Sequence, residues 1–233
     1  MMKKKDKILI IAAHPDDDVI GCGATIKKYA KKGHKVNVIF LTNGEDARKE
    51  NKNFSEKKTI SRKKSALKAS KILGTEKPVF LNFPDQKLDT VPMLDIIQKI
   101  EKYIKLYSPD VVFTHHSNDL NLDHRIAFNA VITACRPEKI KKKIINKIFS
   151  FEISCTTSWM FDNKKDKSFI PNWFEKIDQT MHFKLKALRC YRDEMKKSPH
   201  PRSIEGIKAL NKWRGSISGN KYSEAFILVR SIN

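Results

Sequence analysis

Two stretches bearing acids and histidines carry the residue types from which this chain could build chemistry. The first, His14-Pro15-Asp16-Asp17-Asp18, closes the apolar run from Ile8 to Ala13, and Gly21 and Gly23 then open a helical pattern. Three consecutive carboxylates repel one another unless a cation offsets them. An imidazole and a carboxylate around a tight Pro turn can face one ion. A purely local use is also open: the aspartates can cap the following helix and favour its dipole, with His14 satisfying a hydrogen bond nearby.

The second stretch runs from His115 and His116 to His124 and Arg125. It follows another apolar run, Val111 to Thr114, and leads into the periodic segment from Arg125 to Cys135. Both stretches thus fall at the C-terminal edges of buried strands, where open α/β sheets bind their ligands. Two histidines and one carboxylate drawn from them provide the three protein ligands of a catalytic zinc, with a position left for water. The same ligand set also serves Fe(II) in oxygen chemistry.

Ala13-His14-Pro15-Asp16-Asp17-Asp18 closely resembles the Ala-His-Pro-Asp-Asp-Glu signature of the PIG-L/LmbE-like zinc N-deacetylases, and Asn121-Leu122-Asp123-His124-Arg125 resembles their second motif. Weaker likenesses follow at Thr42-Asn43-Gly44-Glu45, at Arg62, at Phe83-Pro84-Asp85 and at Ser198-Pro199-His200-Pro201-Arg202-Ser203. The resemblance implies Zn2+ held by His14, Asp17 and His124, with Asp16 as general base toward the bound water. Asp18 stands where the signature has glutamate, and Asn121 stands where the family often has a histidine paired with the carboxylate at Asp123. An asparagine amide can donate to an oxyanion but cannot shuttle a proton near neutral pH. His200 is then a second candidate acid, or it only orders a turn between two prolines.

The implied substrate is an N-acetylated amino sugar, free or carried on a nucleotide or lipid. Glu45 and Asp85 are candidates for contacts to it, Asp85 through sugar hydroxyls. Arg62 or Arg202 could meet a phosphate through its fork of donors or serve as a loop anchor. Arg125 could support Asp123 or Asp17.

The elements that must position these residues alternate in type. Strands are expected at Ile8–Ala13, Val36–Leu41, Pro78–Leu81, Asp110–Thr114 and Lys147–Ile153, with a final one near Ala225–Val229. Helices are expected at Gly21–Lys32, Ser61–Leu73, Val91–Leu106, Arg125–Cys135 and Met181–Lys196, with a polar loop over Asp46–Lys58. Such alternation predicts a Rossmann-like, mostly parallel sheet with helices on both faces, in a single domain. The aromatic stretch from Ser154 to Gln179 reads either as a lid or as a satellite cluster of packed side chains.

Lys and Arg total 47 against 26 Asp and Glu, a formal net charge of +21. The excess is mostly lysine scattered over helix faces without a nucleic-acid motif, which favours solvated surface over a nucleic-acid partner; contact with an anionic membrane stays open. A basic binding protein without turnover is the alternative to an enzyme. Cys22, Cys135, Cys155 and Cys190 show no paired spacing, as expected of reduced thiols in a cytoplasmic protein.

Overall fold

Ile8, Ile10 and Ala12 of the first strand join one hydrophobic cluster and Leu9 and Ile11 join another, all of them buried. This is the pattern of a strand covered on both faces. The computed structural model describes residues 5–44, 52–137, 144–161 and 168–232. In it β1 (Lys7–Ala12) pairs in parallel with β2 (Lys35–Thr42) on one side and β4 (Val111–His115) on the other. β3 (Val79–Phe83) and β5 (Lys147–Phe151) extend the parallel part. β7 (Ser223–Ser231) is antiparallel to β5, and β6 (Trp173–Lys176) is antiparallel to β7.

The strand order is β3-β2-β1-β4-β5-β7-β6. Order therefore reverses between β1 and β4, and a crevice opens there at the C-terminal edge of the sheet. On the Ile8/Ile10 face pack α1 (Asp17–Lys31), α2 (Lys52–Leu73), α5 (Met181–Leu188) and α6 (Ile204–Ile217). On the Leu9/Ile11 face pack α3 (Met93–Tyr107) and α4 (Leu122–Ala134). The expected α/β architecture, a mostly parallel sheet between helices, is what the chain builds.

Local departures from expectation have physical causes. α4 begins at Leu122 because the Asn121 side chain accepts the Asp123 N–H at 2.9 Å, an N-cap that shifts the helix start upstream. α2 begins at Lys52, inside the stretch expected to be loop; it contains no glycine or proline, and its early turns lack an apolar stripe by which to recognise them. The rest of that expected loop, 46–51, lies outside the described residues. The helix expected to reach Lys196 stops at Leu188, where the Cys190 and Tyr191 N–H groups fold back to the Ala187 and Leu188 carbonyls. α6 was not expected at all: it carries Gly206 and Gly215, where a Cβ would lie 2.8 Å from the Pro201 and Asn220 carbonyl oxygens.

α1 is broken at Cys22 (φ −145°), and the freed N–H groups of Ala24 and Thr25 donate to the Glu224 carboxylate at 3.0 and 2.6 Å. Glu224 is itself paired with buried Lys184 at 2.7 Å. The first turn of α1, which carries the acidic loop, is thereby set independently of the remainder. Gly21 lies in it against Phe151 of β5, whose ring carbon would stand 2.3 Å from an added Cβ. Gly21→Ala should cost about 1–3 kcal/mol by overpacking, measured by denaturant unfolding, and Gly21→Ala/Phe151→Leu should recover part of the loss.

Candidate metal centre

The loop after β1 is tied directly to the end of β4. Ala13 N–H donates to His115 Nε2 at 2.8 Å, and the His115 ring stacks on His124 with centroids 3.9 Å apart. His14 from the first loop and His124 from α4 are thereby brought to the same crevice. His14 Nδ1 lies 3.0 Å from Asp17 Oδ2, His124 Nε2 lies 3.3 Å from the same oxygen, and the two nitrogens are 3.2 Å apart. Tetrahedral ligands at ~2.0–2.1 Å from a zinc ion are ~3.3 Å from one another. This buried N, N, O triangle therefore fits such an ion in both donor type and size.

Each histidine is backed on its other nitrogen by a carboxylate. His124 Nδ1 is 3.1 Å from Asp119 Oδ1, whose second oxygen accepts the Thr157 hydroxyl at 2.5 Å. His14 Nε2 is 3.3 Å from both Asp123 Oδ2 and Asp85 Oδ1. Asp123 is held in turn by the N–H groups of Gln86 and Leu88, at 2.8 and 3.1 Å. Such partners fix the ring orientation and raise the basicity of ligand histidines.

Asp16 occupies the N-cap position of α1 yet caps nothing with its side chain, and its φ of 132° places it in backbone that side-chain-bearing residues rarely adopt. Its carboxylate is gripped by two guanidiniums. Arg62 Nη2 donates to Oδ1 at 3.0 Å and Arg202 Nη2 donates to Oδ2. Arg62 also donates to the Pro15 and Gly44 carbonyls, at 3.0 and 3.1 Å. Gly44 (φ 78°) leaves room for this passage, since a Cβ there would meet the guanidinium at 2.8 Å. The Asp16 side chain therefore does not cap the helix, although Asp17 and Asp18 do stand in its first turn, where they favour its dipole.

Burial opposes charge on His14, but Asp17, Asp123 and Asp85 outweigh it and lift the imidazole pKa to about 10. Burial likewise opposes the Asp17 charge, and His124 and His14 overcome it to hold the carboxyl well below its usual range. An entering cation must therefore displace protons from the histidines. His115, pushed down by burial and by His124, stays neutral. Asp18 moves the opposite way: burial and the charges of Asp16 and Asp17 push it up to about 8.

Several expectations need correction against this geometry. Asp85, expected at sugar hydroxyls, is buried against His14 and accepts the Thr42 hydroxyl at 3.4 Å. Asp123 likewise backs His14, while Asn121 caps α4. Arg125 supports neither Asp123 nor Asp17; its Nη1 donates to the Asp119 and Leu120 carbonyls, at 2.8 and 3.4 Å. Arg62 and Arg202 are engaged with Asp16 rather than held apart for a phosphate. His200 Nδ1 accepts the Arg202 N–H at 2.9 Å and its ring meets Trp159 edge-on, the turn-ordering arrangement. Glu45 lies outside the described residues. The aromatic stretch contributes edge strand β6 and a turn whose Thr156 hydroxyl is 3.4 Å from His124 Nδ1. Sequence reading gave no role to Asp119 or His115; the sign for Asp119 was a carboxylate five residues before His124.

The PIG-L family model, described as GlcNAc-PI de-N-acetylase, matches residues 9–135, which span the loops carrying His14, Asp17 and His124. The chain belongs to the PIG-L family. Among its PIG-L relatives, the uncharacterized deacetylase YaiS of Escherichia coli (strain K12) is 32% identical over 195 residues, 81% of this chain and 92% of that protein. The diacetylchitobiose deacetylase of Thermococcus kodakarensis is 26% identical, covering 97% of this chain and 84% of that one. The solved N,N'-diacetylchitobiose deacetylase of Pyrococcus horikoshii, in complex with its inhibitor, superposes with a TM-score of 0.79 at 23% identity over 97% of this chain and 85% of its own. That last likeness is one of fold.

Two outcomes follow from the geometry. Asp119→Ala should lower zinc affinity about 10–100-fold by releasing His124, read by competition with a chromophoric chelator; unchanged affinity would show the pair to be incidental. In the metal-free protein, the raised Asp18 pKa means that between about pH 4 and pH 8 the folded chain binds more protons than the unfolded. Stability should thus fall as pH rises through that window, and Asp18→Asn should flatten the slope in denaturant titrations.

Proposed function

We propose that this protein is a zinc-dependent hydrolase that removes the N-acetyl group from an amino sugar or its conjugate. The observation that carries the reading is the meeting of His14 Nδ1, Asp17 Oδ2 and His124 Nε2 within about 3 Å of one another, one residue from a clamped carboxylate. The deacetylases among its relatives, with chitobiose named for two of them, support the reaction class and the sugar.

A divalent cation held by His14, Asp17 and His124 supplies an acidified water and polarises the acyl oxygen when bound. Asp16 takes the water's proton and returns it to the departing amine. Arg62 and Arg202, one on each oxygen, hold the Asp16 carboxylate in a single orientation, so little reorganisation is needed when the proton moves. Asn121 spends its carbonyl oxygen on the α4 cap, which leaves its amide nitrogen as donor to the developing oxyanion. His200 acts through the turn that delivers Arg202. With the raised pKa of His14, cation loading and hence turnover should fall as the medium is acidified.

The test is acetate release from a panel of free, nucleotide-linked and lipid-linked N-acetyl sugars by zinc-loaded protein, with oxygen excluded in parallel. Oxygen-independent release supports hydrolysis and counts against the Fe(II) reading. Asp16→Asn should keep its zinc and lose about 10²–10⁴-fold in turnover, whereas Asp17→Ala should lose the zinc as well. An Asp16→Asn enzyme of normal rate would overturn the base assignment, and a panel without any release would overturn the activity.

A further inference from the structure

Arg62 belongs to two places at once. Besides holding Asp16 and Pro15, it lines a separate cleft of about 550 Å³ between α2 and the turn that follows α5. Lys58, Arg62 and Lys68 enter this cleft from α2, and Arg189 and Arg192 enter from the turn. Among the described residues that line the cleft, two carboxylates, Asp193 and Glu194, stand against these five cations, and Glu194 is engaged with Arg62 (Nη1 to Oε1, 2.7 Å). Among the described residues the side chains of Lys68, Arg189 and Arg192 have no hydrogen-bonded or ion-paired partner.

The overall charge of the chain does not account for this choice of residues. Three of its nine arginines line the cleft, against two of its 38 lysines. Arginine is the residue whose planar fork matches phosphate oxygens two at a time, whereas lysine serves equally well for diffuse solvated charge. The volume also falls within the range of about 300–1,000 Å³ typical of small-molecule sites.

We infer that this cleft is a second binding site, for a phosphate-type oxyanion, separate from the metal centre and one guanidinium removed from Asp16. Arg189 and Arg192 supply the free forks. An anion seated there competes with Glu194 for Arg62, so its arrival is felt by the group that orients Asp16. The phosphate can be part of a larger substrate or a free ion, and the two sources are separable.

Zinc-loaded full-length protein is titrated calorimetrically with inorganic phosphate at constant ionic strength. Arg189→Gln/Arg192→Gln is compared with the wild type and with Lys102→Gln/Lys105→Gln, a control pair exposed on α3. Saturable binding that weakens about tenfold or more in the arginine pair alone is expected, since two charge-assisted contacts are lost together. Equal weakening in both pairs would show diffuse attraction, and no weakening in the arginine pair, or no binding, would place phosphate elsewhere; each overturns the site. Circular dichroism checks that the variants fold.

Kinetics with N-acetylglucosamine and its 1-phosphate then identify the source. A KM increase in the arginine pair confined to the phosphorylated sugar assigns the cleft to substrate. A phosphate-dependent rate change on the unphosphorylated sugar, lost in the arginine pair, assigns it to a free ion. This kinetic arm rests on the proposed deacetylation; the titration does not, so failure of one is distinguishable from failure of the other.

Discussion

A buried carboxylate between two imidazoles is the interaction on which the rest of this molecule depends. Asp17 stays ionised where burial alone would neutralise it, because His14 and His124 stand within 3.3 Å of one of its oxygens. Those histidines come from positions 110 residues apart, and only the parallel pairing of β1 with β4 brings their loops together. Such an assembly is costly without compensation: desolvated charges must be met by partners of opposite sign or by an ion. The donor set here has the types, the number and the spacing that a tetrahedral divalent cation asks for.

Around that centre the fold supplies successive layers of constraint. Asp119 and Asp123 hold the two rings from behind, and Asp123 is itself fixed by backbone N–H groups of the segment after β3. The His115 ring lies flat against His124 and accepts a hydrogen bond from the Ala13 N–H of the opposite loop, so a neutral imidazole serves as a spacer between the two strand ends. Asp16 is kept in its unusual backbone conformation by two arginines reaching in from different parts of the chain. Strain of this sort persists only where the surroundings over-determine it.

Much of this was legible in the sequence, and what was not has identifiable causes. The buried strands showed as runs of β-branched residues, and the two acid- and histidine-rich stretches fell directly after them, so the sheet edge at which His14, Asp17 and His124 meet was legible, while their reading as a metal-ligand set came from the family resemblance. Partners that act at a distance were harder to read. Nothing in the local pattern tells whether Asp85 faces a sugar or a histidine, because that depends on how the segment after β3 returns to the crevice. Arg62 and Arg202 had the right chemistry for an anion, but sequence cannot say that the anion is a carboxylate of the same chain. α6 escaped notice because its glycines answer to close backbone neighbours rather than to helix propensity.

The PIG-L family model matches up to residue 135, and one half of the Asp16 clamp comes from Arg202, 186 positions downstream of Asp16. A nascent chain emerging from the ribosome would thus expose the loops that carry His14, Asp17 and His124 before Arg202, the second holder of Asp16, has been synthesised. The final orientation of the Asp16 carboxylate is therefore a property of nearly the whole chain rather than of the segment that carries it.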